Sequence, residues 1–559
     1  MSVYRDYPPS TPRLIGYDPH TDVPQKHLAR LVDRVVDATV EPAVRTIGRG
    51  QPPFDPRLVL KVLLYAYCIG VRSSRQMERL CQESLPFLFL TRGDTPSYGT
   101  LCYARLSCKD EIEHIWVALL TTAKEMGVAR LGRVVVDSTK LRANASPEAV
   151  VKAHEYEPLL AELERIVSES TAVDAREDSE GGSTAAVLPV SPSTALSTDQ
   201  MRDIIRRVRG EMAEKKRQEK AAAIAEHPAE KVSTAVPVLS EGEEPASRAA
   251  PLTPEMVRQA TRAIDAIQAA KEEGRKHLCL TDPDARMLGE GRSKGLKECH
   301  SFEVAMDNGL IVASGITTEQ DNFRLKPLLE AAGKNEPEGI QSVDGDSGYF
   351  RGDDIAAIEA SGIDTCVPDS HTASDLKRGH PIGTSRSGLS GSVPFTYDAD
   401  TNRYGCPQGN TLIQVQKRLA QGQVVRIYRA AQPCDICPRA AECLTNQGAK
   451  YRQLSVGVHS DVIKATQQRF NNPERQKRYH HRAPAVETTF GFLRANLGYN
   501  SWLLRGTVRV ACEASLITAA YQVRKLQSAL CRRHDAGRRQ STVSSSASIL
   551  PPTQIALQI

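Results

Sequence analysis

Three short stretches carry acids where acids are costly. VVVDSTK runs three β-branched apolar residues, Val134 to Val136, straight into Asp137, and SVDGDSGYF closes a second apolar stretch on Asp344 and Asp346. A third acid, Glu487, stands in YHHRAPAVETTFGFLRANLG, where Phe470 to Val510 holds seven Arg or Lys against two Glu. Carboxylates on neighbouring strand ends repel unless a cation lies between them. A hard divalent cation such as Mg2+ or Mn2+ takes oxygen ligands and keeps positions open for water and phosphate. Two such ions about 4 Å apart activate a nucleophile and stabilise the leaving oxygen of a phosphoryl transfer. Cations around a lone glutamate suit a place where phosphates bind. Asp137, Asp346 and Glu487 are therefore the candidate catalytic and metal-binding acids. Asp344 rivals Asp346, since residues two apart share one face of a continuing strand. The bland alternative is a strand-end aspartate that caps a turn.

A second cluster has the chemistry of a metal site. Cys406 stands in YGCPQG, and Cys434, Cys437 and Cys443 stand in CDICPRAAEC. Cys-x-x-Cys with two further thiols is the donor set of tetrahedral structural zinc. The alternative is four buried apolar cysteines. Neither reading makes them catalytic.

The elements that must position these residues follow from patterning. A chain of 559 residues, 40% hydrophobic and 25% charged, is globular in composition and long enough for several domains. The longest apolar run, Leu58 to Val71, holds a lysine and falls short of the about 20 residues that cross a bilayer. Thirteen scattered cysteines, odd in number and without an export pattern, fit reduced thiols in a cytoplasm. The net charge of +5 is modest, so its placement matters more than its size.

From His27 to about Gly127 the pattern is helical. Asp55-Pro56 starts one helix, and SSRQMERLCQE starts another on a serine cap with Met77, Leu80 and Cys81 on one face. Arg72, Arg75, Arg79 and Arg105 on short helices fit either a helix-turn-helix-like DNA-binding unit or a bundle with a solvated basic face. A strand is expected at about Gly132 to Val136. Glu148 to Lys276 reads as an inserted arm of charged helices joined by Ser/Pro/Glu-rich linkers. HSFEVAMDNGLIVASGITTE reads as a hairpin turning on Asp307-Asn308-Gly309. Helices are expected at Lys326–Ala332 and Asp353–Ala360, with a short strand in GIQSVDGDSGYF that ends in Asp344 and Asp346 and another at IDTCVPD. The segment from Phe395 to Tyr428 is β-rich, helices follow at about 483–497 and 507–526, and the tail beyond Arg532 reads as disordered.

At the acids, the chain resembles a DDE transposase of a bacterial insertion sequence, and most resembles the group numbered eleven-eighty-two. The resemblance runs from about Pro24 to Leu526. It is carried by FDPRLVLKVLLYAYCIGVRSSRQMERLC, TDPDARM, GDSGYF and VETTFGFLR. It implies an α/β fold: a ribonuclease-H-like mixed sheet with a helical N-terminal domain, a helical insertion and a small β-rich insertion holding the cysteines. It implies Asp137, Asp346 and Glu487 as the metal-binding triad. Tyr479, Arg482 and Arg494 take the place of the family's Tyr–Arg–Glu–Lys signature, as phosphate partners, and Lys140 is a further candidate DNA contact. Two departures stand out. Four residues rather than three separate Arg482 from Glu487, and the terminal cation is Arg494 rather than Lys.

The domains expected are 1–127, helical and DNA-binding-like; 128–147 and 277–390, the divided core; 148–276, the insertion; 391–470, β-rich; 471–530, the helices with Glu487; and the tail 531–559. The activity implied is metal-dependent cleavage at terminal inverted repeats followed by strand transfer, by a homodimer on DNA, in the bacterial cytoplasm and with no membrane partner. The rivals are a nuclease that never rejoins DNA and a non-catalytic DNA-binding descendant.

Overall fold

The computed structural model describes residues 18–41, 54–127, 132–179, 198–226, 254–289, 295–318, 323–336, 338–382, 395–398, 400–420, 423–444, 448–457 and 460–543. Two compact units emerge, Met1–Thr139 with Ser301–Asn500 and Ala511–Ile559, and Lys140–His300 with Ser501–Val510.

The first unit opens with seven helices: α1 (Pro19–Asp22), α2 (Leu28–Thr39), α3 (Pro56–Cys68), α4 (Ser74–Glu83), α5 (Leu85–Thr91), α6 (Tyr98–Ser107) and α7 (Lys109–Glu125). Helix α3 begins where Asp55 accepts from the Arg57 amide and Pro56 fills the first position, and it buries every residue from Val59 to Cys68. Buried Lys61 is tolerated because Asp33 and Asp37 hold its ammonium at 2.6 and 2.7 Å.

Strand β1 (Arg133–Arg142) follows, and with it comes a correction. The strand does not stop before Asp137 but carries the acid inside it. Its first residues are buried, whereas Asp137 to Lys140 are half-exposed. The partner strand ends sooner than β1 does, so this stretch lacks cover on that side.

The second unit contains β2 (Val150–Lys152), α8 (Tyr156–Ser179), α9 (Thr198–Glu226), α10 (Pro254–Glu272), β3 (His277–Cys279), β4 (Arg286–Gly289) and the start of β5 (Leu296–Asp307). Strands β2 and β3 pair antiparallel, Val151 opposite Leu278, and so tie together the two ends of the excursion. Helices α8, α9 and α10 share a core that includes Leu159, Leu163, Ile205 and Ile267. The unit's bounds are wider than 148–276, and the Ser/Pro/Glu-rich linkers at about 180–197 and 233–253 lie outside the described residues. TDPDARM has a structural role here. Asp282 Oδ2 meets His300 Nε2 at 2.9 Å with both side chains fully buried, and Asp284 accepts from the Thr507 amide at 2.8 Å.

Back in the first unit come β6 (Leu310–Thr317), α11 (Leu325–Gly333), β7 (Ser342–Asp344), α12 (Gly352–Ala360), β8 (Asp364–Cys366) and α13 (Ser370–Arg378). The β5–β6 turn places Asn308 and Gly309 at φ of 48° and 78°, a left-handed pair that suits a two-residue hairpin. The sheet order is β6-β5-β1-β7-β8, with β4 pairing the early part of β5. Numbered along the chain within this core, that is 3-2-1-4-5, with β7 and β8 added parallel to β1. This is an α/β fold with a ribonuclease-H-like mixed sheet.

A second, five-stranded antiparallel sheet follows: β9 (Thr396–Asp398), β10 (Arg403–Gly405), β11 (Thr411–Ala420), β12 (Gln423–Ala430) and β13 (Gln453–Gly457), with α14 (Ala440–Cys443) in the last connection. Its small core is Leu412, Tyr428 and Ala430, with Phe395 and Tyr404 against them. The chain closes with α15 (Ser460–Phe470), α16 (Pro473–Gly491) and α17 (Thr507–Val543). Helix α16 starts ten residues before the expected 483. Asn472 caps it and Pro473 opens it, while Pro484 sits in its interior. Helix α17 continues to Val543, so the expectation of a disordered tail from Arg532 is corrected up to that point, and 544–559 lie outside the described residues.

Candidate active site

The two aspartates are brought level by strand register. Strands β1 and β7 run parallel with Val135 opposite Asp344. Two residues further along the chain come Asp137, still within β1, and Asp346, two residues past the end of β7. Adjacent strands lie about 4.8 Å apart, so both acids belong to the same end of the sheet. Gly345, just before Asp346, has no room for a side chain: a Cβ there would stand 3.0 Å from Val136 Cγ2 and 3.2 Å from Val367 Cγ2. Asp346 also caps the following 3-10 turn, its Oδ1 accepting from the Gly348 amide at 2.8 Å. The turn-cap role and the site role coexist in one residue.

Helix α16 crosses this edge, and its arginines hold it there. Arg478 donates through Nε to Asp344 at 2.7 Å and also pairs with Asp364. Arg475 donates to Asp364 and to the Thr365 carbonyl. Burial raises the Asp364 carboxyl, but the hydrogen bonds from Arg475 and Arg478 outweigh it and leave its pKa below the ordinary value. Asp344 is fully buried and also receives Arg133 at 2.7 Å. Asp344 is thus a structural ion-pair centre rather than an open acid. Sequence reasoning counts these arginines as basic surroundings and misses their role. The available signal is the i, i+3 spacing of Arg475 and Arg478, one turn apart on a face.

Four residues further along α16, Arg482 reaches Asp137 Oδ2 at 3.2 Å. Its guanidinium lies 5.6 Å from the Tyr479 ring centre, and that ring packs edge-on against Phe470. Burial raises the Tyr479 hydroxyl pKa, the Asp346 charge adds to this, and Arg482 opposes it. Tyr479 is therefore half a core residue and half a platform for Arg482. Beyond Gly491 the helix widens into a π-helical turn, Phe492–Asn496, from which Arg494 donates to Thr139 Oγ1. Thr139 lies two residues past Asp137 on the same face of β1. Glu487 is exposed and lies between Arg482 and Arg494 along the chain. Lys140 is three residues past Asp137, so strand alternation turns it to the opposite face of β1.

The side chains of Asp137, Asp346 and Glu487 offer only hard carboxylate oxygens, the two aspartates at a sheet end and Glu487 on α16. That chemistry fits Mg2+ or Mn2+. Among the described residues, no group of three or more His, Cys, Asp or Glu side chains is drawn close enough to hold a metal ion.

The cysteines gather elsewhere, in the five-stranded sheet. Cys406, Cys434, Cys437 and Cys443 line one cavity of about 220 Å3. Backbone amides point at two of the sulfurs, Gln408 N to Cys406 and Arg452 N to Cys434, each at 3.5 Å. All thirteen cysteines of the chain are free thiols. No helix among the described residues is long and apolar enough to cross a membrane.

Comparison with known families adds two matches. Residues 405–527 match a family described as a transposase DDE domain, and residues 18–106 match a transposase domain family. The first match contains Glu487, Tyr479, Arg482, Arg494 and the four clustered cysteines; Asp137 and Asp346 lie outside both. No curated protein matches the chain.

Proposed function

We propose, for a chain whose two matched domains make it a DDE transposase of an insertion sequence, that Asp137, Asp346 and Glu487 form its catalytic triad. The observation that supports this is the parallel register of β1 and β7, which brings Asp137 and the residue just past β7, Asp346, to one end of the sheet, with Glu487 within the matched DDE domain. The substrate is the phosphodiester backbone at the element's terminal inverted repeats. The protein acts as a homodimer, cuts the DNA, and lets the freed 3′-hydroxyl attack target DNA.

The three acids would hold Mg2+ or Mn2+, which when bound makes water a stronger nucleophile and offsets charge on the phosphate oxygens. The chain's own groups do the rest. Arg482 and Arg494 flank Glu487 and offer guanidinium forks to phosphate oxygens. Arg482 also holds Asp137 at 3.2 Å, which limits the mutual repulsion of the acids. Tyr479 fixes the reach of Arg482 through its ring. Arg475 and Arg478 touch no substrate; they anchor the first half of the helix to Asp344 and Asp364.

We also propose that the four cysteines bind one structural Zn2+. Support comes from their common cavity and from the amide groups directed at two sulfurs. Purified protein should carry about one zinc per chain, and Cys437→Ser should lose it together with solubility. Metal-free protein of unchanged stability would end this reading.

The activity is tested with duplex DNA carrying the element end, with Mg2+ or Mn2+ present. Nicked products with 3′-hydroxyl ends and, later, molecules joined to target DNA are expected. Cleavage without joining would support the nuclease rival, and binding without cleavage the non-catalytic one.

A further inference from the structure

The hairpin of β11 and β12 is an unusual piece of protein surface. At its base it is part of a sheet. Strand β11 pairs with β10 only from Thr411 to Ile413, and β12 pairs with β13 only from Val425 to Arg429. Among the described residues, β11 beyond Ile413 has only β12 beside it, whereas β12 keeps β13 as a neighbour up to Val425, so only Leu419–Ala420 and Gln423–Val424 form a two-stranded end. Val415 to Leu419 are exposed one after another, where a strand over a core would alternate. Leu419, 74% exposed, faces Val424.

The charges are as one-sided as the geometry. From Thr411 to Ala430 there are Lys417, Arg418, Arg426 and Arg429, four glutamines, and no Asp or Glu. Lys417 stands directly opposite Arg426 across the strands. Like charges in that position destabilise a sheet, so the fold gains nothing by keeping them there. The acids of this module, Asp398, Asp400, Asp435 and Glu442, all lie outside the hairpin.

At Lys417, Arg418 and Arg426 three strands lie side by side, β11, β12 and β13, with β11 as the open edge. Arginine and lysine suit phosphate oxygens. We propose that the β11–β12 hairpin is a DNA-binding arm, with Lys417, Arg418 and Arg426 on the phosphates of duplex DNA. This rests on the transposase reading above and assigns the arm to the same DNA that the triad cuts. The thiol cluster at the base of the sheet gives the arm a fixed root. Cys406 and Cys434 flank the hairpin just before β11 and just after β12.

The test uses the full chain and its affinity for an end-carrying duplex at a series of salt concentrations. Each phosphate that the protein neutralises adds about 0.9 to the slope of log affinity against log salt, so replacing three cations by glutamine should lower the slope by about 2.7. The variant is Lys417→Gln with Arg418→Gln and Arg426→Gln. Its melting temperature should hold, because Lys417 and Arg418 are exposed and Arg426 half-exposed. A charge-keeping variant, Lys417→Arg with Arg426→Lys, should retain the wild-type slope and separates loss of charge from loss of hairpin structure. An unchanged slope in the triple variant, with wild type binding DNA normally, overturns the arm and leaves the transposase reading intact. An unchanged slope with an altered oligomeric state assigns the hairpin to a second copy and also overturns it. Wild-type protein that shows no salt-dependent DNA binding overturns both. Conversely, Asp137→Asn should leave the slope untouched while abolishing cleavage, so failure of the arm and failure of the triad read out separately.

Discussion

The two halves of helix α16 use the same residue types for opposite ends. In the first half, Arg475 and Arg478 meet Asp344 and Asp364, and Asp344 is completely buried. In the second half, Arg482 and Arg494 reach Asp137 and Thr139 at a half-open sheet edge, with exposed Glu487 between them in the chain. The first set is closed around Asp344, which is fully buried and paired with both Arg133 and Arg478. The second is more open: Asp137 and Thr139 are half-exposed and Glu487 is exposed. Arginine–carboxylate contacts alone therefore do not mark a site. What separates them is whether the acids are saturated.

The largest expected effect lies in the open half. Asp137→Asn, Asp346→Asn or Glu487→Gln should reduce cleavage of end-containing DNA by orders of magnitude, with folding and DNA affinity kept, because the amide keeps the shape and loses the charge that a bound cation needs. Thermal melts and gel-shift assays run beside the cleavage assay would check the split. Near wild-type cutting by Asp137→Asn would sink the assignment.

The closed half should respond in the reverse sense. Arg478→Ala leaves the buried Asp344 with Arg133 alone. Breaking a buried pair by removing one partner costs about 3–5 kcal/mol, so urea unfolding should show a large drop in stability. Asp344→Asn should also destabilise, by less, with any fall in activity tracking the fall in folded protein. If Asp344→Asn removed cutting while stability stayed unchanged, the contrast between the two halves would be wrong.

A buried acid without a cation sharpens the same lesson at a smaller scale. Glu336 is buried, both of its carboxylate oxygens lack a hydrogen-bond partner, and burial, helped by the nearby Asp307 charge, pushes its pKa up to about 7. A carboxyl with a raised folded pKa contributes stability that is full below its unfolded value of 4.5 and is lost as pH rises through about 7. Glu336→Gln should therefore raise the melting temperature at pH 8 and do little near pH 4.5. An equal shift at both pH values would point to packing rather than ionisation.

Much of the architecture was legible in the residues. Asn308-Gly309 supplies two adjacent positions that tolerate positive φ, so the β5–β6 hairpin could be read directly. Asp55-Pro56 and Ser73 announce their helices because capping is a local contact. Where local signals misled, distant partners had decided. Pro484 reads as a helix start, but Asn472 and Pro473 supply an earlier one, and the anchoring of Arg475 and Arg478 on the strands holds that first half in place.

For the site, the sequence alone determined which acids stand beside apolar strand residues and which one is surrounded by cations, because solvation cost and charge density are local properties. It also determined that the β11–β12 segment carries four cations and no acid. Only the tertiary structure shows how differently Asp344 and Asp346 are held. The two lie two residues apart, and the difference is that β7 ends at the first, where Arg133 and Arg478 close around it, while the second lies past the strand and caps the next turn. Register between parallel strands and reach from a helix more than a hundred residues away depend on non-local packing, and no pattern along the chain encodes which of two neighbouring carboxylates that packing will saturate.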